Sequence, residues 1–144
     1  MALSENHEVA VAVSDLLHRL FFNLDERRYS QVAELFAPDG VWHRQGEQLQ
    51  GGADVRRALE RRPAQLRTRH LVSNTIIEAA DGLTSESAHY VLVFAHHADE
   101  AMLRLPELQP LQLGVYRARC RNTNGRWEIV ELTGQPSFRR VEAS

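Results

Sequence analysis

Two dipeptides, Asp81-Gly82 and Asn124-Gly125, constrain this chain more than any other feature. Each is a strong signal for a two-residue β-hairpin turn, because aspartate or asparagine followed by glycine tolerates the positive φ such turns require. Each also sits between stretches patterned as strands. Residues 67–79 carry Val72, Thr75, Ile76 and Ile77, and the return runs from Ser87 to about His97. The second pair spans Leu111–Asn122 and Arg126 to about Phe138. A two-residue turn at Asp81-Gly82 puts Asn74 opposite His89, Val72 opposite Val91 and His70 opposite Val93. The second turn puts Arg121 opposite Glu128, as a surface ion pair, and Cys120 opposite Ile129. Tyr116, Ala118 and Cys120 then share an inner face, and Arg117, Arg119 and Arg121 an outer one.

The first half is patterned differently. Val9, Val13, Leu16, Leu17, Leu20 and Leu24 recur at spacings of three and four, which predicts a helix with one buried stripe. Ser4 and Asn6 are its candidate caps. A shorter helix follows, with Val32, Leu35 and Phe36 on one face, ending before a turn at Pro38-Asp39-Gly40. Val41–Arg44 reads as a short strand. Gly51-Gly52 breaks the chain, and Asp54 can cap a third helix ending near Pro63. Helices first and a long antiparallel sheet after them give an α+β class. The expected shape is a curved sheet wrapped around the N-terminal helices, an open-mouthed cone suited to a small-molecule pocket. Residues 1–144 form one domain, without repeat or linker.

Composition narrows the function. All seventeen basic residues are arginine, so neither a Schiff-base lysine nor a P-loop is available. The formal charge is −2, and no strongly basic face is expected, which argues against nucleic acid. The single cysteine, Cys120, excludes a disulfide framework. Neither a signal peptide nor a membrane-spanning stretch is expected, so the sequence reads as soluble and cytoplasmic.

Three blocks carry a resemblance. Leu24-Asp25-Glu26-Arg27-Arg28-Tyr29, Leu35-Phe36-Ala37-Pro38-Asp39-Gly40 and Arg67-Thr68-Arg69-His70-Leu71-Val72-Ser73-Asn74 resemble the SnoaL-like branch of the nuclear-transport-factor-2-like superfamily. That resemblance implies a cone-shaped α+β roll, cystatin-like in outline. It is similar to the scytalone dehydratase group and a related dehydrochlorinase, in which a helix-end aspartate and a strand histidine abstract a proton. Asp25 and His70 match those positions. The dehydratase tyrosines are matched by Leu24 and Arg44, and the dehydrochlorinase helix lysine by Leu20. The first and third blocks also resemble small (β) subunits of aromatic-ring-hydroxylating dioxygenases, which implies a noncatalytic role beside a large subunit.

Chemistry allows the same pair. A carboxylate can orient an imidazole and stabilise the imidazolium, and histidine titrates close enough to neutrality to act as a base. The alternative is structural: Asp25 capping the second helix and His70 a satisfied core residue. Tyr29, Trp42, Arg44, Asn74, His89, His97 and Tyr116 are candidate substrate contacts. By the expected register His89 and His97 share the face of His70. The histidine spacings match no ligand motif, so no metal and no cofactor are expected. The segment from Ala98 to Pro110 is either a lid or a plain crossover. Tyr90, Leu92 and Phe94 make the opposite face of their strand apolar as well. Together with the resemblance, this implies a homodimer or homotrimer through the sheet. The expected function is a cofactor-independent lyase or isomerase acting on a small, largely apolar or aromatic compound bearing a carbonyl or hydroxyl. The alternatives are a dioxygenase small-subunit-like structural protein and a ligand-binding protein without turnover.

Overall fold

In the computed structural model, which describes residues 2–141, the apolar stripe of the first helix meets the concave side of a six-stranded sheet. Helix α1 runs Ala2–Asp25 and buries Val13, Leu17, Leu20 and Phe21 almost completely. Ser4 and Asn6 fall inside it rather than capping it. It ends in a Schellman arrangement: Arg27 is left-handed at φ 61°, and Arg28 N–H reaches the Asn23 carbonyl at 2.8 Å. Helix α2 is only Tyr29–Ala33. Strand β1, Phe36–Arg44, follows directly.

The expected turn at Pro38-Asp39-Gly40 is therefore not a turn. These residues lie within β1, where the pairing with the last strand is irregular between Phe36 and Val41. Gly40 serves close approach rather than positive φ, since a Cβ there would stand 2.6 Å from the Ile129 carbonyl oxygen. A tight turn at Gln45-Gly46 leads into β2, Glu47–Gln50, a strand with no clear sequence signal. Helix α3, Gly51–Glu60, starts at the two glycines. Asp54 does not cap it from outside. It reaches back from the first turn to accept from the Gln50 N–H at 3.1 Å.

Strands β3 (Leu66–Ala80), β4 (Thr84–His97), β5 (Gln112–Thr123) and β6 (Arg126–Arg139) form the long antiparallel meander. The sheet order is β2-β1-β6-β5-β4-β3, with β1 parallel to β6. The β3–β4 turn is longer than two residues, because Ala80 faces Ser85. Asp81 Oδ1 closes it by accepting from the Leu83 and Thr84 N–H groups at 3.0 and 2.8 Å. Two bulges in β3 then undo the shift. His70 faces Val93 and Val72 faces Val91, as expected, whereas Asn74 faces no residue. In the β5–β6 hairpin Arg121 lies opposite Glu128 and Cys120 opposite Ile129. Arg121, however, pairs with Asp39 on β1, through contacts of 2.7 and 3.1 Å.

Ala118 and Cys120 are buried in the same apolar core as Leu17 of α1 and Leu59 of α3. Burial pushes the Cys120 thiol up to about 12, which leaves it an inert core group. Residues 98–110 carry no strand or helix, with Met102 and Leu108 exposed. Among the described residues no helix is long and apolar enough to cross a membrane.

Candidate functional site

Asp25 occupies the last residue of α1, where the helix dipole disfavours an anion. Its carboxylate is held there by β3. The His70 main-chain N–H donates to Oδ2 at 2.8 Å, and the Thr68 hydroxyl to Oδ1 at 2.8 Å. His70 Nδ1 lies 2.6 Å from the same Oδ1. Both side chains are largely buried, at 10% exposure for His70 and 6% for Asp25. An ionised carboxylate can only accept, so Nδ1 carries the proton and Nε2 holds the lone pair of the neutral ring. Phe21, one turn before Asp25, stacks on the imidazole at 4.9 Å between centroids.

The capping reading of Asp25 does not hold. Helix α2 has Arg28 at its cap position with no side-chain cap, and the Asp25 carboxylate is committed to β3. Thr68 is in turn donated to by Arg62 Nη2 at 2.9 Å. Arg62 Nη1 reaches the Leu24 carbonyl and the Tyr29 hydroxyl, each at 3.1 Å. One arginine after α3 thus ties together the end of α1, α2 and β3.

His70 lines a cavity of about 380 Å³ between α1 and the sheet. Trp42, Arg44 and Tyr116 also line it, together with Phe21, Arg62 and Thr68. Arg44 stands 5.5 Å over the Trp42 ring, and burial together with nearby Arg62 lowers its pKa. Burial raises the pKa of Tyr116, so its hydroxyl is a neutral donor at physiological pH. The Tyr116 ring lies flat over Gly134, where a Cβ would come within 2.6 Å of it. Asp25 and His70 also border a second, more open cleft between α1 and β3, of about 670 Å³.

Four expected contacts fall elsewhere. Tyr29 does not line the cavity, and its hydroxyl accepts from Arg27 and Arg62 instead. Asn74 is exposed in a β3 bulge at φ 54°, because the bulge turns it out of the pleat. His97 lies at the exposed end of β4, beyond the wall formed by Val93 and Ala95. His89 is buried behind Tyr116, stacked at 5.9 Å between centroids. Neither of its ring nitrogens finds a partner, and burial, helped by His18, depresses its pKa to about 4. Sequence reasoning passed over Phe21, Arg62, Thr68 and Gly134. Only Thr68 had a usable signal, as it sits two residues before His70 on the same strand face. No cluster of three or more potential metal-ligating side chains occurs among the described residues.

The same architecture occurs in solved structures. A type 2 hexachlorocyclohexane dehydrochlorinase superposes with a TM-score of 0.79 at 17% identity, over 96% of this chain and 92% of that one. A candidate scytalone dehydratase from Novosphingobium aromaticivorans DSM 12444 gives 0.79 at 17% identity, over 99% and 95%. At these identities the likeness is one of fold. A large ribosomal subunit protein uL2 of Korarchaeum cryptofilum is 33% identical over 105 residues, 72% of this chain. That alignment spans only 42% of the ribosomal protein's length. A model of the SnoaL-like domain matches residues 6–133, and this chain belongs to that family, within the nuclear-transport-factor-2-like superfamily.

Proposed function

We propose that this chain is a cofactor-independent lyase, removing a proton and a leaving group from adjacent carbons of a small molecule held between α1 and the sheet. The observation that carries the reading is the 2.6 Å contact between Asp25 Oδ1 and His70 Nδ1 on the wall of a cavity. Asp25 fixes the tautomer that leaves Nε2 basic and stabilises the imidazolium once a proton arrives. Nε2 takes the proton from a substrate C–H. The electrons of that bond form the new double bond as the leaving group departs. Tyr116 and Arg44 are donors on the same cavity wall, suited to an oxygen that gains negative charge. The dehydrochlorinase and the dehydratase of similar fold agree with elimination as the reaction type.

The first half-reaction is testable before a substrate is known. Small ketones, hydroxyketones and aromatic carbonyl compounds are incubated with the protein in D2O, and C–H exchange is followed by proton NMR. Exchange with the wild-type protein and its loss in His70→Gln are expected. A panel that exchanges no faster than buffer, or equally fast with His70→Gln, sinks the proposal.

A further inference from the structure

The geometry points to an anion subsite in this cavity, centred on Arg44, which selects substrates bearing a carboxylate. The inference deepens the lyase reading and rests on it for the reaction, but stands on separate observations. Three arginines, Arg44, Arg62 and Arg139, line the cavity, and no aspartate or glutamate is among its lining residues. Acids around the site are committed elsewhere, Glu131 among them, which pairs with His43 and Arg119. Asp25 is held by His70 and Thr68, and Glu47, the acid closest in charge to Arg44, bonds Arg61 at 2.9 Å.

Arg44 itself has no carboxylate partner among the described residues. Among the described residues its guanidinium makes one hydrogen bond, to Gln45 Oε1 at 3.3 Å, at the long end of the range. A half-buried guanidinium in that state has donors to spare, and its planar fork suits a carboxylate bidentately. Arg62 cannot take the same role, because both of its terminal nitrogens are bound to Leu24, Tyr29 and Thr68. Its charge remains, however, and opposes that of Arg44: burial first, and the Arg62 charge second, lower the pKa of Arg44. A bound carboxylate relieves that repulsion. Trp42 lies beneath the Arg44 guanidinium at 5.5 Å, and Phe21, Leu24, Val93, Ala95 and Leu111 give the wall an apolar part. The ligand that fits is therefore amphipathic, a carboxylate at the Arg44 end with a compact apolar or aromatic body.

Phenylacetate and its uncharged counterpart phenylacetamide test this directly, by calorimetry and by thermal shift. Phenylacetate should bind at millimolar concentration and raise Tm, with an affinity at least about tenfold above that of the amide, the scale of one charge-assisted hydrogen-bonded pair. Arg44→Gln should abolish that preference. Arg44→Lys, which keeps the charge and loses the fork, should retain part of it. His70→Gln should still bind phenylacetate, since the subsite is separate from the base. Equal binding of acid and amide to the wild-type protein overturns the subsite, and that comparison needs no variant to fold. So does an unchanged phenylacetate affinity in Arg44→Gln. If exchange of neutral carbonyl compounds still depends on His70, the lyase reading survives that failure. If the Arg44-dependent preference is found without any such exchange, the subsite stands and the lyase reading falls.

Discussion

Asp25 is an acid at the C-terminal end of a helix, and three donors from one strand hold it there. That arrangement separates the charge of Asp25 from its shape. Asp25→Asn keeps most of the hydrogen bonding but cannot stabilise an imidazolium. Turnover should fall by up to about 10⁴-fold, as for the equivalent change in a serine-protease triad, with the fold retained. Full activity per folded molecule in Asp25→Asn would eliminate the proposed mechanism. Thr68 tests the support behind the pair. In Thr68→Val, Arg62 Nη2 loses its acceptor and Asp25 one of its donors, so stability should drop by about 1–3 kcal/mol in urea titration. His89 makes a pH prediction. Its folded pKa, about 4, lies below the ordinary value of 6.5, so the unfolded chain binds the extra proton between those limits. Stability should therefore decline as pH falls from about 6.5 to 4, by about 3 kcal/mol in all. His89→Leu should flatten that acid limb and raise stability near neutrality, because it removes two unpartnered ring nitrogens. An acid limb unchanged in His89→Leu would show that another group controls it.

At the scale of elements, the sequence revealed what depends on periodicity and left hidden what depends on irregularity. The α1 stripe, both hairpins and the Arg/apolar alternation of β5 were legible, because period 3.6 and period 2 are written in neighbouring residues. His70 could be placed opposite Val93 even though the turn was misjudged, since two bulges restored the register lost in a longer turn. Asn74 fell just inside the shifted stretch and was misplaced for that reason. Strand β2 and the continuation of β1 through Pro38–Gly40 were hidden. The partner of β1, β6, lies far along the chain, Pro and Gly ordinarily punctuate rather than continue a strand, and β2 is a four-residue edge strand paired with β1 alone. Arg62 was illegible for the same reason, as its three partners come from α1, α2 and β3. Gly134 shows how such an unsignalled residue can matter. Gly134→Ala must displace the Tyr116 ring, at a cost of about 1–3 kcal/mol of stability. The same variant should weaken ligand binding, and an undisturbed Tm would show that the ring moves freely.

At the scale of the whole molecule, the sheet carries an apolar stripe on the face away from the helices, beside the charged part of that face formed by Arg117, Arg119 and their acidic partners. Leu71, Leu92, Leu113 and Phe138 stand side by side across β3, β4, β5 and β6, on the face away from the helices. Tyr90 and Val115 form the next rung. Leu71 is 51% exposed, Tyr90 47% and Phe138 71%. A stripe of this kind running across four strands is more than the scattered single apolar residues normal on a monomer's surface. Pairing two sheets face to face would bury it on both copies at once, as a two-fold contact requires. The chain, of 16.4 kDa, is therefore expected to sediment as a dimer or larger species at micromolar concentration. Leu92→Glu, at the centre of the stripe, should shift it to monomer, because a carboxylate in an apolar contact must be desolvated without a partner. The helix-side cavity lies on the opposite face of the sheet, so the monomeric variant should keep its ligand affinity. A wild-type chain that remains monomeric would refute the assembly. Loss of ligand binding together with dissociation would show instead that the two faces are coupled through β4, whose Val93 sits in the cavity wall one residue from Leu92.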